Sequence, residues 1–287
     1  MPRILPALLV ALFVVAMVAG CGDQQPVEST ESSARADAED GHIEAPEAVD
    51  PPPPELLIDR DRLSIYRPVE LNPDLSELSE DQREMLRLLI DAASIMTDLF
   101  WRQAYGDPAP LLASIDDPQV RAFVELNYGP WDRLNGNQPF LAGYVAKPPG
   151  AQFYPEDMTR EEFEAWTNPD KRNPYSLVRR MDSGDLMLVP YSAAFRAPLM
   201  QAAELLREAA DLAESEAFAE YLRLRARALM TGDYRESDMA WMDVRDNDIE
   251  LVYGPIENYE DQLFGIRTAF EAFVLLKDRE WSERLAR

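Results

Sequence analysis

Residues 246–273, DNDIELVYGPIENYEDQLFGIRTAFEAF, hold the patterns that decide the fold of this 287-residue chain. Large apolar side chains recur at every second residue from 249 to 253, the period of a short strand. Gly254-Pro255 then interrupts the pattern. From Asp261 onward the spacing predicts an amphipathic helix with Asp261 as its cap. The apolar residues of that predicted helix are Leu263, Ile266, Phe270, Phe273 and Val274.

Glu257 and Tyr259 follow the Gly-Pro dipeptide. If the chain stays extended there, residues two apart project from the same face, so both side chains would look into one space. A carboxylate only accepts hydrogen bonds, whereas a phenol can donate one. Taken on these residues alone, the plainer interpretation is an ion-paired carboxylate at a strand end and a tyrosine packed on the core.

The same segment resembles the dipeptidyl-peptidase III family of zinc exopeptidases and their hydrolase relatives. The family pattern is roughly E-x-x-x-G-x-I-E-x-Y-x-D-x-x-F-G, followed by F-E-x-F. It is matched by Glu250, Gly254, Ile256, Glu257, Tyr259, Asp261, Phe264, Gly265, Phe270, Glu271 and Phe273. A looser resemblance covers residues 57–287. It implies a mainly α fold with a minor β component (α+β), the N-terminal lobe of a two-lobed dipeptidyl-peptidase III-like fold.

The resemblance also implies roles for two residues. In the family, the Glu holds the free ammonium of a peptide substrate and the Tyr hydroxyl assists the developing oxyanion. Carried over, Glu257 binds the substrate amine and Tyr259 supports the transition state. Both roles are physically sound, because a carboxylate anchors a partly desolvated ammonium and a fixed donor stabilises developing negative charge.

The metal chemistry of the family has no counterpart in these residues. The family binds zinc through an HExxGH-type helix and a second carboxylate-bearing helix, both downstream of the segment above. A catalytic zinc takes roughly three protein ligands. This chain has one His, His42, and one Cys, Cys21. We therefore expect no metal site in this chain, zinc only in the complete family protein, and no peptide hydrolysis by this chain alone.

A carboxylate-rich run invites a calcium interpretation, but its spacing does not support one. It lacks the glycine and the distal Glu of an EF-hand loop. The run consists of Asp243, Asp246, Asp248 and Glu250.

The N-terminus has the pattern of an export signal. Arg3 precedes an apolar run over residues 4–18, which is shorter than the roughly 20 residues that span a bilayer. Cys21 follows Ala19-Gly20 and resembles the acylated cysteine of a bacterial lipobox. We expect a lipoprotein signal peptide over residues 1–20 and a lipidated Cys21. The alternative is an ordinary signal peptide with an incidental cysteine.

Residues 21–56 are predicted to be a disordered acidic tether. Residues 22–54 contain nine acidic residues and only one Arg. The stretch ends in four prolines, which favour a stiff, extended chain. The net charge of −25 excludes nucleic acid and repels anionic lipids, so membrane association should come from the lipid alone. We expect a chain facing the periplasm from the outer membrane, since Gly22 rather than Asp follows the cysteine.

Helical patterns dominate residues 57–287, the predicted lobe. A capping box at Ser79 begins a helix with an apolar stripe from Met85 to Phe100. A second helix is expected over residues 197–213, and a third from Ser215 to Gly232. A further strand is expected at residues 184–189.

Two classes of function remain open from the sequence. The first is the N-terminal, substrate-contacting part of a lipid-anchored zinc peptidase or hydrolase, whose partner is a peptide or another small substrate. The second is a non-catalytic lipoprotein that binds peptides or acts as a scaffold in the cell envelope.

Cys21→Ser tests the anchor. The substitution removes the only thiol, so the precursor should stay unprocessed or the mature chain should carry no lipid. Mass spectrometry of the parent protein should find a mature chain that begins with a lipidated Cys21. The same N-terminus without any lipid would contradict the lipobox interpretation.

Overall fold

The structure is a computed structural model that describes residues 53–285, without the side chains of residues 279, 280 and 283. The chain divides into two units, Met1–Pro51 and Pro52–Arg287, and all described residues belong to the second. The predictions for Cys21, His42 and the export signal lie outside the described residues.

Helices are the most abundant regular structure of this unit. After a short 3₁₀ helix at Arg60–Ser64 come α1 (Glu80–Ala104), α2 (Ala109–Ala113), α3 (Pro118–Asn127), α4 (Arg160–Ala165), α5 (Tyr191–Ala194), α6 (Arg196–Asp211), α7 (Glu216–Thr231), α8 (Arg235–Asp243) and α9 (Arg279–Leu285). No helix among residues 53–285 has the length and apolar character that crossing a membrane requires.

The described strands form three two-stranded antiparallel sheets. The pairs are β1 (Trp131–Asp132) with β2 (Gln138–Pro139), β3 (Ser176–Arg180) with β4 (Leu186–Pro190), and β5 (Ile249–Glu257) with β6 (Ala269–Leu276). The predicted mainly α fold with a minor β component is confirmed, and β4 confirms the strand expected at residues 184–189.

The predicted helix starts are also confirmed. At the start of α1, the Ser79 hydroxyl accepts from the Gln82 N–H at 3.1 Å, and the Gln82 side chain accepts from the Ser79 N–H at 3.0 Å. The Ser215 hydroxyl caps α7 by accepting from the Phe218 N–H at 3.2 Å, and Gly232 ends that helix in the left-handed region, with φ +78°. Local hydrogen bonds therefore set these boundaries.

The main core lies where α1, α6 and α7 pack together and against the β5–β6 hairpin. Tyr253 of β5 is buried and donates from its hydroxyl to the carbonyl of Ala92 in α1 at 2.8 Å. A second core joins the end of α1 to α3 and the following loops. Residue 56 belongs to this folded part, since Leu56 forms a β-bridge with Leu141.

The helix expected after Asp261 is wrong, because Ala269–Leu276 form strand β6. The spacing of Phe270, Phe273 and Val274 fits a helix face, but aromatic and β-branched residues also favour strands. Tertiary context decides between the two, since β5 leaves backbone groups that need partners and β6 supplies them along its whole length.

Gly254-Pro255 does not interrupt the strand either. β5 continues to Glu257, and the pairing absorbs the dipeptide through a register shift between Pro255 and Glu257. A proline has no N–H to give to a ladder, and strands accommodate it at such irregularities. The strand therefore delivers Glu257 to the end of the hairpin.

Asp261 caps the loop between the two strands instead of a helix. Its side chain is buried, and it collects the N–H groups that the irregular loop backbone cannot pair otherwise. The donors are Leu263 at 3.1 Å, Phe264 at 3.0 Å, Ile266 at 2.9 Å and Arg267 at 3.0 Å, and the Tyr154 hydroxyl at 2.7 Å. Gly265 gives this loop its positive φ of +66°.

Asp261→Ala should destabilise the unit by about 3–5 kcal/mol, because four backbone donors and a buried phenol lose their acceptor. Tyr154→Phe removes only one of those bonds and should cost about 1–2 kcal/mol. Urea denaturation followed by circular dichroism measures both values. Equal losses for the two variants would show that the loop does not depend on the carboxylate.

Candidate functional site

The predicted site residues lie at the end of the β5–β6 hairpin. Glu257 is the last residue of β5, and Tyr259 lies two residues on, in the turn that follows. Tyr259 is 64% exposed, and its hydroxyl donates to Oε1 of Glu271 on β6 at 3.5 Å. Tyr259 therefore contacts a third residue, Glu271, and Glu257 lies near enough for its charge to act on both.

The charges of these three groups act on one another. Burial, and next the negative charge of Glu257, raise the pKa of Glu271 to about 7. Partial burial, followed by the charges of Glu271 and Glu257, raises the pKa of Tyr259 to about 12. Tyr259 therefore stays protonated as a donor at neutral pH, whereas Glu271 changes its charge near neutrality. We call Glu257, Tyr259 and Glu271 the acid–phenol cluster.

A cationic and aromatic layer lies beside this cluster. The positive charge of Arg133 lowers the pKa of Glu271. Burial raises the pKa of the Tyr128 phenol, and the charge of Glu271 raises it further. The Arg133 guanidinium carbon lies 5.2 Å from the ring centre of Phe100 and 5.8 Å from that of Tyr128. The two rings meet edge to face, at 4.6 Å and 80°, and their contacts with the guanidinium help to hold it in place.

Glu260 turns inward, in contrast to its neighbour Tyr259. Its buried carboxylate accepts from Arg133 at 2.8 and 3.2 Å and from Lys147 at 2.5 Å. Burial by itself would raise the pKa of Glu260, but Arg133 and Lys147 hold it below its ordinary value. Burial lowers the pKa of Lys147, which Glu260 opposes.

Three other matched residues of the segment serve the fold. Asp261 and Gly265 build the loop, and Phe264 packs on Tyr154 and Phe163 at ring distances of 5.4 and 4.4 Å. Packing therefore accounts for these positions and leaves Glu257 and Tyr259 without such an explanation.

Sequence reasoning quoted Glu271 in the pattern but gave it no role, and it missed the inward pairing of Glu260. The matched F-E-x-F motif contains Glu271, but the helix predicted there concealed that Glu271 lies on a strand paired with the one that carries Glu257. No local signal points to Arg133 and Lys147, which lie more than a hundred residues away along the chain.

The site holds carboxylates but no metal centre. Among the residues that the structure describes, no three His, Cys, Asp or Glu side chains come together in a way that could hold a metal ion. The side chains present therefore do not fit a catalytic zinc, which needs about three ligands and an open position. Chemically, the acid–phenol cluster can bind a cation and donate one hydrogen bond.

Glu271→Gln should raise stability above neutral pH. In the folded state Glu271 keeps its proton up to about pH 7, whereas in the unfolded state it loses it near its ordinary pKa. Between these values the folded state binds more protons, so stability falls as pH rises and the loss is complete above pH 7. The variant should gain about 1–2 kcal/mol at pH 8, after allowing for solvent screening, and almost nothing at pH 4.5.

Urea denaturation of parent and variant at both pH values measures this gain. Glu250→Gln, the same substitution on the same hairpin, controls for the loss of a carboxylate. A difference between parent and Glu271→Gln that does not change with pH would contradict the prediction.

A family comparison and two solved structures relate this chain to the same group of peptidases. Residues 170–287 match the family described as peptidase family M49. The chain is similar to a dipeptidyl-peptidase III from Caldithrix abyssi, with 40% identity and a TM-score of 0.75 over 79% of this chain and 45% of that structure. A dipeptidyl-peptidase III from Corallococcus sp. strain EGB gives 35% identity and a TM-score of 0.74, over 79% of this chain and 44% of that one.

A plant protein is also similar. Nudix hydrolase 3 of Arabidopsis thaliana is 31% identical over 279 residues, which cover 76% of this chain and 36% of the relative. The chain thus spans less than half of the length of each relative. The sequence match and the two structures agree on the fold, and the chain belongs to the dipeptidyl-peptidase III family, peptidase family M49, as a partial-length member.

Proposed function

We propose that this chain supplies the substrate-contacting part of a zinc-dependent peptidase or hydrolase of the dipeptidyl-peptidase III type. Glu257 takes the free ammonium of a peptide, and the Tyr259 hydroxyl supports the oxyanion. One observation carries this proposal: Glu257, Tyr259 and Glu271 converge at the end of the hairpin, while other matched residues of the segment are used in packing.

Charge supports the assignment of the amine. Neither Glu257 nor Glu271 forms a salt bridge within the described residues, so both carboxylates can receive a cation from outside. Burial, and next the charge of Glu257, raise the pKa of Glu271, and the positive charge of an ammonium bound at these carboxylates would oppose that shift. The site thus gains more from a charged amine than from a neutral acetamide of similar size.

The protonation states support the assignment of the hydroxyl. A phenol with a pKa of about 12 remains a donor throughout the neutral range. It can therefore stabilise negative charge that develops on a carbonyl oxygen, provided that the reacting bond lies within its reach. Zinc, when bound in the complete family protein, would supply the polarised water, and residues outside this chain would hold it.

For the chain itself we propose a lipid anchor at Cys21 and a position in the cell envelope, facing the periplasm from the outer membrane. Peptides or other small substrates are the proposed partners, and nucleic acid is not. The alternative function, a non-catalytic peptide-binding or scaffold lipoprotein, would use the same acid–phenol cluster for binding alone.

Glu257→Gln and Tyr259→Phe separate binding from chemistry. In a chimera that joins this chain to the downstream half of the Caldithrix abyssi enzyme, Glu257→Gln should lower kcat/KM about ten- to a hundredfold, because it removes one charge-assisted contact. Tyr259→Phe should mainly lower kcat, since its hydroxyl acts on charge that forms late. Steady-state kinetics with a free and an N-acetylated peptide measure both effects.

Acetylation should reproduce the Glu257 effect and leave the Tyr259 effect intact. Glu77→Gln, an exposed glutamate ahead of α1, serves as the control. If both site variants fold normally and keep the kinetics of the parent chimera, the two side chains have no role in the reaction.

A further inference from the structure

Glu260 is the buried acid next to the exposed phenol of the acid–phenol cluster. Its side chain is 4% exposed, and the side chain of Lys147 is equally buried. The matched pattern leaves this position open between Tyr259 and Asp261, so the resemblance gives it no role. A carboxylate is costly to bury and is retained only where cations and hydrogen bonds offset that cost. Here two cations do so.

Arg133 and Lys147 approach Glu260 from two different loops. Arg133 follows α3, where its Nε donates to the carbonyl of Asn127 at 2.6 Å, and it grips Glu260 with both terminal nitrogens. Lys147 lies in the proline-rich loop over residues 142–150 and donates to the same carboxylate. The turn that carries Tyr259 is thus held to two loops at once.

Tyr259 has little else to hold it. Its side chain is exposed, and its hydroxyl bond to Glu271 is long, at 3.5 Å. The backbone on its C-terminal side is fixed by the two buried acids that follow it, Glu260 and Asp261. Asp261 fixes the loop downstream, whereas Glu260 fixes the turn against the part of the molecule that also carries Arg133.

Glu260 and Arg133 also act on the pKa of Glu271, in addition to burial and the charge of Glu257. The groups that act on Glu271 are Glu257, Tyr259, Glu260 and Arg133, and Tyr128 faces it in turn. Among them, Glu260 and Arg133 act in opposite directions. The charge of Glu260 favours a protonated Glu271, and the charge of Arg133 favours the carboxylate. The two partners of this salt bridge therefore have opposing effects on the pKa of Glu271.

We propose that Glu260, clamped by Arg133 and Lys147, is a positioning residue that places the Tyr259 turn beside Glu271. Its use in amine capture rests on the function proposed above. Glu260 itself touches no substrate in this scheme. It acts through Tyr259 and Glu271.

Two substitutions that break the same salt bridge test the electrostatic part. In the purified full chain, Glu260→Gln should lower the pKa of Glu271 by about half a pH unit, because it removes a negative charge and leaves two cations uncompensated. Arg133→Gln should raise it by about the same amount. NMR of ¹³C-labelled glutamate carboxyls measures the titration, and the Glu271 signal is the one that Glu271→Gln removes.

A second pair of variants tests the placement of the turn. Lys147→Met keeps the length of the side chain but loses the charge, and Lys147→Arg keeps the charge. The Asp261 N–H donates to the Asn258 carbonyl at 3.2 Å and closes the turn that carries Tyr259. Hydrogen exchange at this amide should become about tenfold faster in Lys147→Met and stay unchanged in Lys147→Arg. Glu162→Gln, which breaks the Glu162–Arg180 salt bridge elsewhere on the surface, should change neither measurement.

A purely structural salt bridge would give another result. Glu260→Gln and Arg133→Gln would then move the pKa of Glu271 in the same direction or not at all, which overturns the proposal. Unchanged exchange at the Asp261 amide in Lys147→Met would overturn it too, and that variant stands in if Glu260→Gln does not fold. Binding of a free dipeptide amide, measured separately, tests the proposed function. Absent binding, together with opposite pKa shifts and faster exchange in Lys147→Met, would reject amine capture but support positioning.

Discussion

The buried carboxylate of Asp261 is the interaction on which the hairpin and its site depend. It gathers four backbone N–H groups and one phenol within a loop that has no regular structure of its own. Without such an acceptor those donors would be buried and unpaired, at a cost that the short hairpin could not offset. Because the loop is fixed, β6 returns in register with β5, and Tyr253 reaches α1. The position of Glu271 relative to Glu257 follows from that register.

The acids of this segment divide by environment into two kinds. Asp261 and Glu260 are buried and fully used, the first by backbone donors and the second by Arg133 and Lys147. Glu257 and Glu271 remain without salt bridges in the described part of the chain, and burial, followed by the charge of Glu257, raises the pKa of Glu271 to about 7. Two neighbouring carboxylates favour the binding of a cation, because its charge reduces the repulsion between them. The fold thus stabilises one pair of acids so that the other pair can stay open.

The sequence predicts what short-range interactions determine. The cap at Ser79, the end of α7 at Gly232 and the alternation that begins β5 all depend on residues within a few positions of one another. The strand β6 escaped prediction because its apolar residues fit two periods and only pairing with β5 selects one. The pairing of Glu260 with Arg133 and Lys147 could not be predicted, because no local sequence pattern links residues more than a hundred positions apart. Motif resemblance found Glu257 and Tyr259, whereas physical context was needed to show that Glu271 completes their cluster.

The titration of Glu271 limits the conditions under which the proposed amine site can work. Below about pH 7 Glu271 holds its own proton, so Glu257 alone offers negative charge. A peptide α-ammonium loses its charge at about pH 8. Two carboxylates and one ammonium therefore coexist mainly in a narrow range between these values. Binding of the ammonium would widen that range, because its charge lowers the pKa of Glu271 just as the carboxylates raise that of the amine. Arg133 works in the same direction from the protein side, which makes the salt bridge beneath the cluster part of its pH response.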